Sequence, residues 1–238
     1  MVLEAERERQ LTQLARRLQI DFVDLPLLNQ ALLHSSFINE RDLSLAEGNE
    51  RLEFLGDSVL GLIVTEELFR RYDDKSEGEL SKVKSVVVSR RVLAEKAKQM
   101  GLGEYILLGR GEELTGGRSR KSILANTFES LVGAVFLSGG IHFARQFVLR
   151  YLEGEIEKVS RGQGLQDHKS QLQELLQHAN GQLPRYRVKG ISGPDHDKVY
   201  QVEVLLEDQV LGTGEGKSKK SAEQAAARQA LLKVRGQE

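Results

Sequence analysis

The chain has 238 residues, 39% of them apolar and 29% charged, with a formal net charge of −1. That suits one large globular domain or two smaller ones, each with a proper core. Cysteine is absent, which excludes disulfides and thiolate zinc sites and is compatible with a reducing cytoplasmic setting. Dividing the chain near Asp167 leaves both parts close to neutral, so affinity for a polyanion has to come from local clusters. Residues 1–17 are charged and helical in character, without the apolar core of a signal peptide. No uninterrupted apolar run reaches the length of a bilayer span, and no membrane partner is expected.

The first two-thirds reads as helices. Leu11, Leu14, Ala15 and Leu18 recur at helical spacing. Asp24 is placed to cap the next helix, with Pro26 in its first turn. Asn49 to Phe69 forms a long amphipathic helix. Ser76-Glu77-Gly78-Glu79 is a capping box that opens another helix through Val86. Ser89 caps the following helix, and Gly101 ends it. Gly109 to Arg120, rich in Gly, Glu and Arg, is expected to be a mobile loop. A helix from about Ser122 to Leu137 is stopped by Gly139-Gly140, and another continues through Val159. Ser160 to Gln166 reads as a polar, glycine-containing linker.

Beyond it the period changes. Asp167 caps a short helix that Gly181 ends. Tyr186 and Val188, then Tyr200, Val202, Val204 and Leu206, alternate as strands do. Glu207-Asp208 makes the turn into a third strand, Gln209 to Thr213, and a helix from Ser218 to Val234 follows. The expected architecture is an all-α domain over residues 1–159, a linker over 160–166, and a small α+β domain of order α-β-β-β-α over 167–238. Both of its helices should lie on one sheet face.

The long helix places Glu50, Glu53 and Asp57 on one face, with Leu52, Leu55, Val59 and Leu62/Ile63 on the apolar side. On the acids alone, a solvated acidic face is the plainer reading. Two features favour a site. Gly56 permits close approach of another backbone within an otherwise apolar helix. The helix around Ile123 to Glu129 repeats the device, presenting Asn126 and Glu129 at i,i+3 while Ala125, Gly133 and Ala134 keep it slim. Two such helices side by side would set four oxygen-bearing side chains around a hole, a donor set that selects Mg²⁺ or Mn²⁺.

The run from Glu50 to Ser58 (ERLEFLGDS) resembles the signature of the ribonuclease III family. Ile123 to Gly133 (ILANTFESLVG) resembles that family's second catalytic helix. The likeness extends to Ala31–Ser36 and Ser76–Ser81. It implies an endonuclease for double-stranded RNA in which Glu53, Asn126 and Glu129 bind the metal and Asp57 and Glu129 serve catalysis, with Glu50 and Glu77 in support. The family's usual residue at the position of Asn126 is Asp; an amide keeps one carbonyl oxygen and loses the charge. The resemblance further implies a homodimer formed through the signature helices, Mg²⁺ as cofactor with Mn²⁺ able to substitute, products with 5′-phosphate and 3′-hydroxyl ends and short 3′ overhangs, and processing of ribosomal RNA precursors.

In the last third, Lys217, Lys219 and Lys220 stand at a helix start, where the dipole already carries partial positive charge. The placement costs helix stability and makes sense where phosphates lie; three solvated lysines are the bland alternative. This segment, the Lys169–Leu176 helix and the Gly193–His196 turn together resemble the double-stranded RNA-binding domain. That likeness implies minor-groove contacts from Gln173 and Glu174, approach of His196 to 2′-hydroxyls, and lysines on the phosphates between.

The remaining histidines (His34, His142, His168 and His178) show no metal-ligand spacing, and no P-loop occurs. A di-metal oxidoreductase fits the carboxylates but not the absence of Glu-x-x-His. A non-cleaving RNA binder, its metal site weakened by Asn126, is the other reading.

Overall fold

The computed structural model describes residues 4–20, 23–162, 168–194 and 197–235, and the chain divides into two compact units, residues 1–164 and 165–238. The first unit contains helices α1 (Ala5–Leu18), α2 (Leu25–Ala31), α3 (Ser35–Glu40), α4 (Glu50–Arg71), α5 (Glu77–Val87), α6 (Arg90–Gln99), α7 (Arg110–Leu114) and α8 (Lys121–Ser160). Its sole strand-like pairing among the described residues is the isolated Leu33–Leu107 bridge.

The helix starts follow local chemistry. The Asp24 carboxylate accepts from the Leu27 N–H at 3.2 Å, with proline in the first turn. Ser76 and Glu79 close a reciprocal capping box, Ser76 N–H to Glu79 Oε2 at 2.9 Å and Glu79 N–H to Ser76 Oγ at 3.4 Å. Ser89 accepts from Val92 at the start of α6, and Gly101 takes the left-handed conformation after that helix at φ 63°. The faces buried by α1 and α4 include Leu11, Leu14 and Leu18, and Leu52, Leu60, Ile63 and Val64.

At the centre, α4 crosses α8 with the two backbones touching. A Cβ on Gly56 would collide with the carbonyl oxygen of Glu129, and one on Gly133 with that of Leu52. Small residues on both helices therefore set their separation. Gly56→Ala is expected to cost roughly 1–3 kcal/mol by overpacking, checked as a fall in melting temperature; an unchanged melt would contradict the close crossing.

The helix α8 breaks at Gly140, whose φ of 78° and ψ of −175° are not helical. This is the stop expected from Gly139-Gly140. Its second half returns to the core through Phe147, Val148, Leu152 and Ile156, and Phe147 meets Phe128 from the first half at 6.0 Å. By length and hydropathy α8 would suit a bilayer, but its kink and its buried residues mark it as a core helix. Glu67, buried on α4, is neutralised by Arg71 at 2.5 Å and by Arg145 from α8, so the charge is not stranded.

The segment Gly109–Arg120 is not the loop expected. It forms α7 and a 3-10 turn at Gly117–Ser119. Four of its charges are paired within the fold: Arg118 donates to the carbonyls of Gly103 (2.9 Å) and Ile106 (2.8 Å) and pairs with Glu113, while Arg120 pairs with Glu112. The Gly109 N–H donates to Ser36 Oγ at 2.9 Å and the Arg110 N–H to Glu40 at 2.5 Å. Polar composition here reflects internal pairing as well as exposure to solvent.

The second unit runs α9 (His168–Asn180), β1 (Arg185–Ser192), β2 (Val199–Leu206), β3 (Gln209–Gly216) and α10 (Lys219–Arg235). The sheet is antiparallel in the order β1-β2-β3. Leu172 and Leu176 from α9, Val202 and Val204 from β2, and Ala222, Ala226, Ala227, Ala230 and Leu231 from α10 form one core, which puts both helices on the same sheet face. Strand β3 continues three residues past Thr213, through Gly214 and Gly216. The glycines of this strand face α10: a Cβ on Gly212 would stand 2.6 Å from the Ala226 carbonyl oxygen, and one on Gly214 would strike the Ala226 backbone. An alanine-faced helix lies against a glycine-faced strand, each because the other is small. Asp167, expected to cap α9, and the linker residues 163–166 lie outside the described residues.

Candidate active site

The Gly56–Gly133 crossing brings the acids of α4 to those of α8. Asn126 and Glu129 lie one turn apart on α8, and Ser130, buried beside them, donates to the carbonyl oxygen of Asn49 at 3.2 Å. The Asn126 side chain acts on the Glu53 carboxyl from the facing helix and favours its charged form. Burial, followed by the fields of Asp57 and Glu53, pushes the Glu129 carboxyl up to about 7. Burial also raises Glu53, with Glu50 and Asp57 adding to the shift and Asn126 opposing it.

Glu53, Asp57, Asn126 and Glu129 therefore share one electrostatic neighbourhood. Glu50, exposed in the first turn of α4, adds its charge from the edge. Among the described residues no three acidic or histidine side chains close into a ready coordination shell. The donor set is all oxygen, partly desolvated and carries surplus negative charge, so it fits a hard divalent cation.

The raised carboxyl has a consequence for stability. An unfolded Glu ionises near 4.5 and the folded Glu129 near 7, so the folded state keeps a proton through that window that the unfolded state releases. The stabilisation is whole below the lower value and is lost as pH rises through the upper one. In metal-free protein at pH 8, Glu129→Gln is expected to raise the melting temperature by roughly 2–4 °C, about 1 kcal/mol after allowing for partial solvation. At pH 4 the gain should vanish; an equal gain at both values would show that ionisation is not its source.

Glu77 stands elsewhere. It receives a hydrogen bond from Ser81 at 2.8 Å and lines a cavity of about 630 Å³ with Thr65, Phe69, Tyr72 and Leu80, about two turns along α4 from Asp57. Two residues were not singled out from the sequence. Arg90, in the first turn of α6, is the cation whose field lowers both Glu53 and Glu129. A signal was present, since α6 has two arginines and no acid at an N-terminus, the same anomaly that marks the lysines of α10. His34 lies in the field of Glu50 and of the Glu112–Arg120 pair, its Nδ1 against Ser36 Oγ at 2.8 Å.

In the second unit, Gln173 and Glu174 are exposed on α9, and Lys217, Lys219 and Lys220 are exposed around the start of α10. Ser218 caps that helix through the Ser221 N–H at 3.2 Å. Lys217 is paired with Asp197 at 2.7 Å. His196 lies outside the described residues.

Residues 24–156 match the family described as Ribonuclease-III-like, and residues 168–234 match the double-stranded RNA binding motif. The Ribonuclease 3 of Leptospira interrogans serogroup Icterohaemorrhagiae serovar copenhageni is 46% identical over 230 residues, covering 97% of this chain and 93% of that protein. The Ribonuclease 3 of Borreliella burgdorferi is 47% identical over 226 residues, covering 95% and 92%. A solved nuclease domain of ribonuclease III from Campylobacter jejuni, described for structural flexibility in a region involved in dimer formation, aligns with a TM-score of 0.56 at 39% identity. It covers 60% of this chain and 96% of that one. A helical nuclease domain joined to a reader of RNA duplexes defines an endoribonuclease. This chain belongs to the ribonuclease III family.

Proposed function

We propose that the chain hydrolyses phosphodiester bonds in double-stranded RNA with Mg²⁺, or Mn²⁺ in its place, held by Glu53, Asn126 and Glu129. The observation that carries this reading is the neighbourhood at the α4–α8 crossing, where Glu129 is pushed up to about 7 by burial and by Asp57 and Glu53. When bound, the cation lowers the pKa of water and neutralises charge on the phosphate. Asp57 and Glu129 orient the attacking water through their carboxylate oxygens, and Glu50 supports them from the edge of the site. Glu77 contributes from its separate position on α5. Gln173, Glu174 and His196 read the minor groove while Lys217, Lys219 and Lys220 bind phosphates, so recognition is of A-form shape. Precursors of ribosomal RNA and other structured transcripts in the cytoplasm are the substrates this chemistry serves. Mapping the product termini tests the reaction: 5′-phosphate and 3′-hydroxyl ends with short 3′ overhangs are expected, and 3′-phosphate or blunt ends would contradict it.

The active form is a homodimer. Phe54, Leu62 and Phe69 repeat along one exposed side of α4, at 80%, 59% and 74% exposure. Such a stripe on a core helix suits a self-complementary apolar interface. Sedimentation at micromolar concentration should show a dimer that Phe54→Glu dissociates; a monomer before substitution would remove the two-site geometry that staggered cuts need.

The second reading, a duplex binder without nuclease activity, rests on Asn126, whose amide supplies no charge to the metal. Asn126→Asp is expected to lower the Mg²⁺ required for half-maximal cleavage by about ten-fold, or 1.4 kcal/mol. Cleavage seen only after this substitution would favour the binder; an unmoved metal requirement would remove Asn126 from the ligand set.

A further inference from the structure

Lys169 lies in the first turn of α9, four and five residues before Gln173 and Glu174, and its side chain is turned inward. Its Nζ pairs with Glu223 of α10 at 2.6 Å and lies 4.4 Å from the centre of the Tyr186 ring on β1. Its backbone N–H donates to the Gln224 side chain at 3.2 Å. One residue thus ties the first turn of α9 to both a helix and a strand. The pair is partly shielded, with 34% exposure for the Lys169 side chain and 13% for that of Glu223. The Lys217–Asp197 pair, at 81% and 54%, is a surface pair.

Only Leu172 and Leu176 are fully buried along α9 among the described side chains, with Leu175 partly so, and what they meet on α10 is largely alanine. Small partners bury little area, so the apolar contact with α10 fixes the rotation and tilt of α9 less firmly than larger side chains would. The polar clamp adds a directional hold to that apolar contact. We infer that Lys169 is a positioning residue: held by Glu223 and Tyr186, it sets where Gln173 and Glu174 meet the RNA minor groove, and it binds no phosphate of its own. This rests on the duplex-RNA reading above.

The sign of one substitution separates positioning from charge. Glu223→Gln removes a negative charge beside an RNA-binding surface, which by field alone strengthens binding to a polyanion. By positioning it weakens binding, because Lys169 loses its partner.

The experiment is a binding series on the full chain with a short RNA duplex in EDTA, over a range of KCl and well below each variant's melting temperature. Lys169→Met and Glu223→Gln are each expected to weaken binding by about ten-fold, and the double variant to be little worse than either, as for coupled residues. Lys169→Arg, which keeps the pair and the ring interaction, should restore affinity. The log–log salt slope should stay that of the unmodified chain in all four. A slope lower by roughly 0.7–0.9 in Lys169→Met would make Lys169 a phosphate ligand and overturn the inference. Tighter binding by Glu223→Gln, or unchanged binding by Lys169→Met, would overturn the inference alone. Failure of the unmodified chain to bind duplex would overturn the RNA reading and this inference with it.

Discussion

Glu129→Gln is expected to slow cleavage of duplex RNA by roughly 10²–10⁴-fold, the range for losing a positioned catalytic carboxylate. Glutamine keeps the shape and one acceptor oxygen, so the α4–α8 crossing should survive. What disappears is a negative charge at the point where Glu53, Asp57 and Asn126 meet. Duplex binding in EDTA should not change, because the proposed RNA-binding residues Gln173, Glu174 and the lysines belong to the second unit. Full activity in the variant would remove Glu129 from the machinery. A large loss of affinity would show that binding and cleavage are not divided between the units.

Replacing Lys217, Lys219 and Lys220 together by Ala should weaken duplex binding on the order of 100-fold at low salt, taking roughly 1 kcal/mol for each charge-assisted hydrogen bond to phosphate. The diagnostic is the salt dependence. Each lysine–phosphate pairing removed should flatten the log–log slope by roughly 0.7–0.9. Lys217 should contribute least, since phosphate has to displace Asp197 from it. An unchanged slope would return the lysines to a solvated surface, and with them the argument from their place at a helix start.

Most of the helical frame could be read from the sequence because its signals are local. Asp24, Ser76 and Ser89 cap the helices they precede, and Gly140 breaks the one it interrupts. The crossing of α4 and α8 was legible for a related reason, since Gly56 and Gly133 in apolar helices have few uses besides close packing. What escaped depends on partners distant in sequence. Arg118 and Arg120 read as part of a mobile loop until the carbonyls of Gly103 and Ile106 and the Glu112 and Glu113 carboxylates are placed beside them. The end of β3 past Thr213 escaped because Gly214 and Gly216 carry no side chain to show strand alternation, and their fit depends on the backbone of α10. Arg90 and Lys169 belong to the same class, because a cation's role follows from the group it faces.

The most direct test is a gel. A long RNA duplex incubated with the chain and Mg²⁺ should yield short duplex products, while the same duplex with EDTA, single-stranded RNA and DNA duplex should persist. Intact duplex RNA after prolonged incubation, with Mn²⁺ supplied as well, would contradict the assignment of a metal-dependent nuclease site at the α4–α8 crossing.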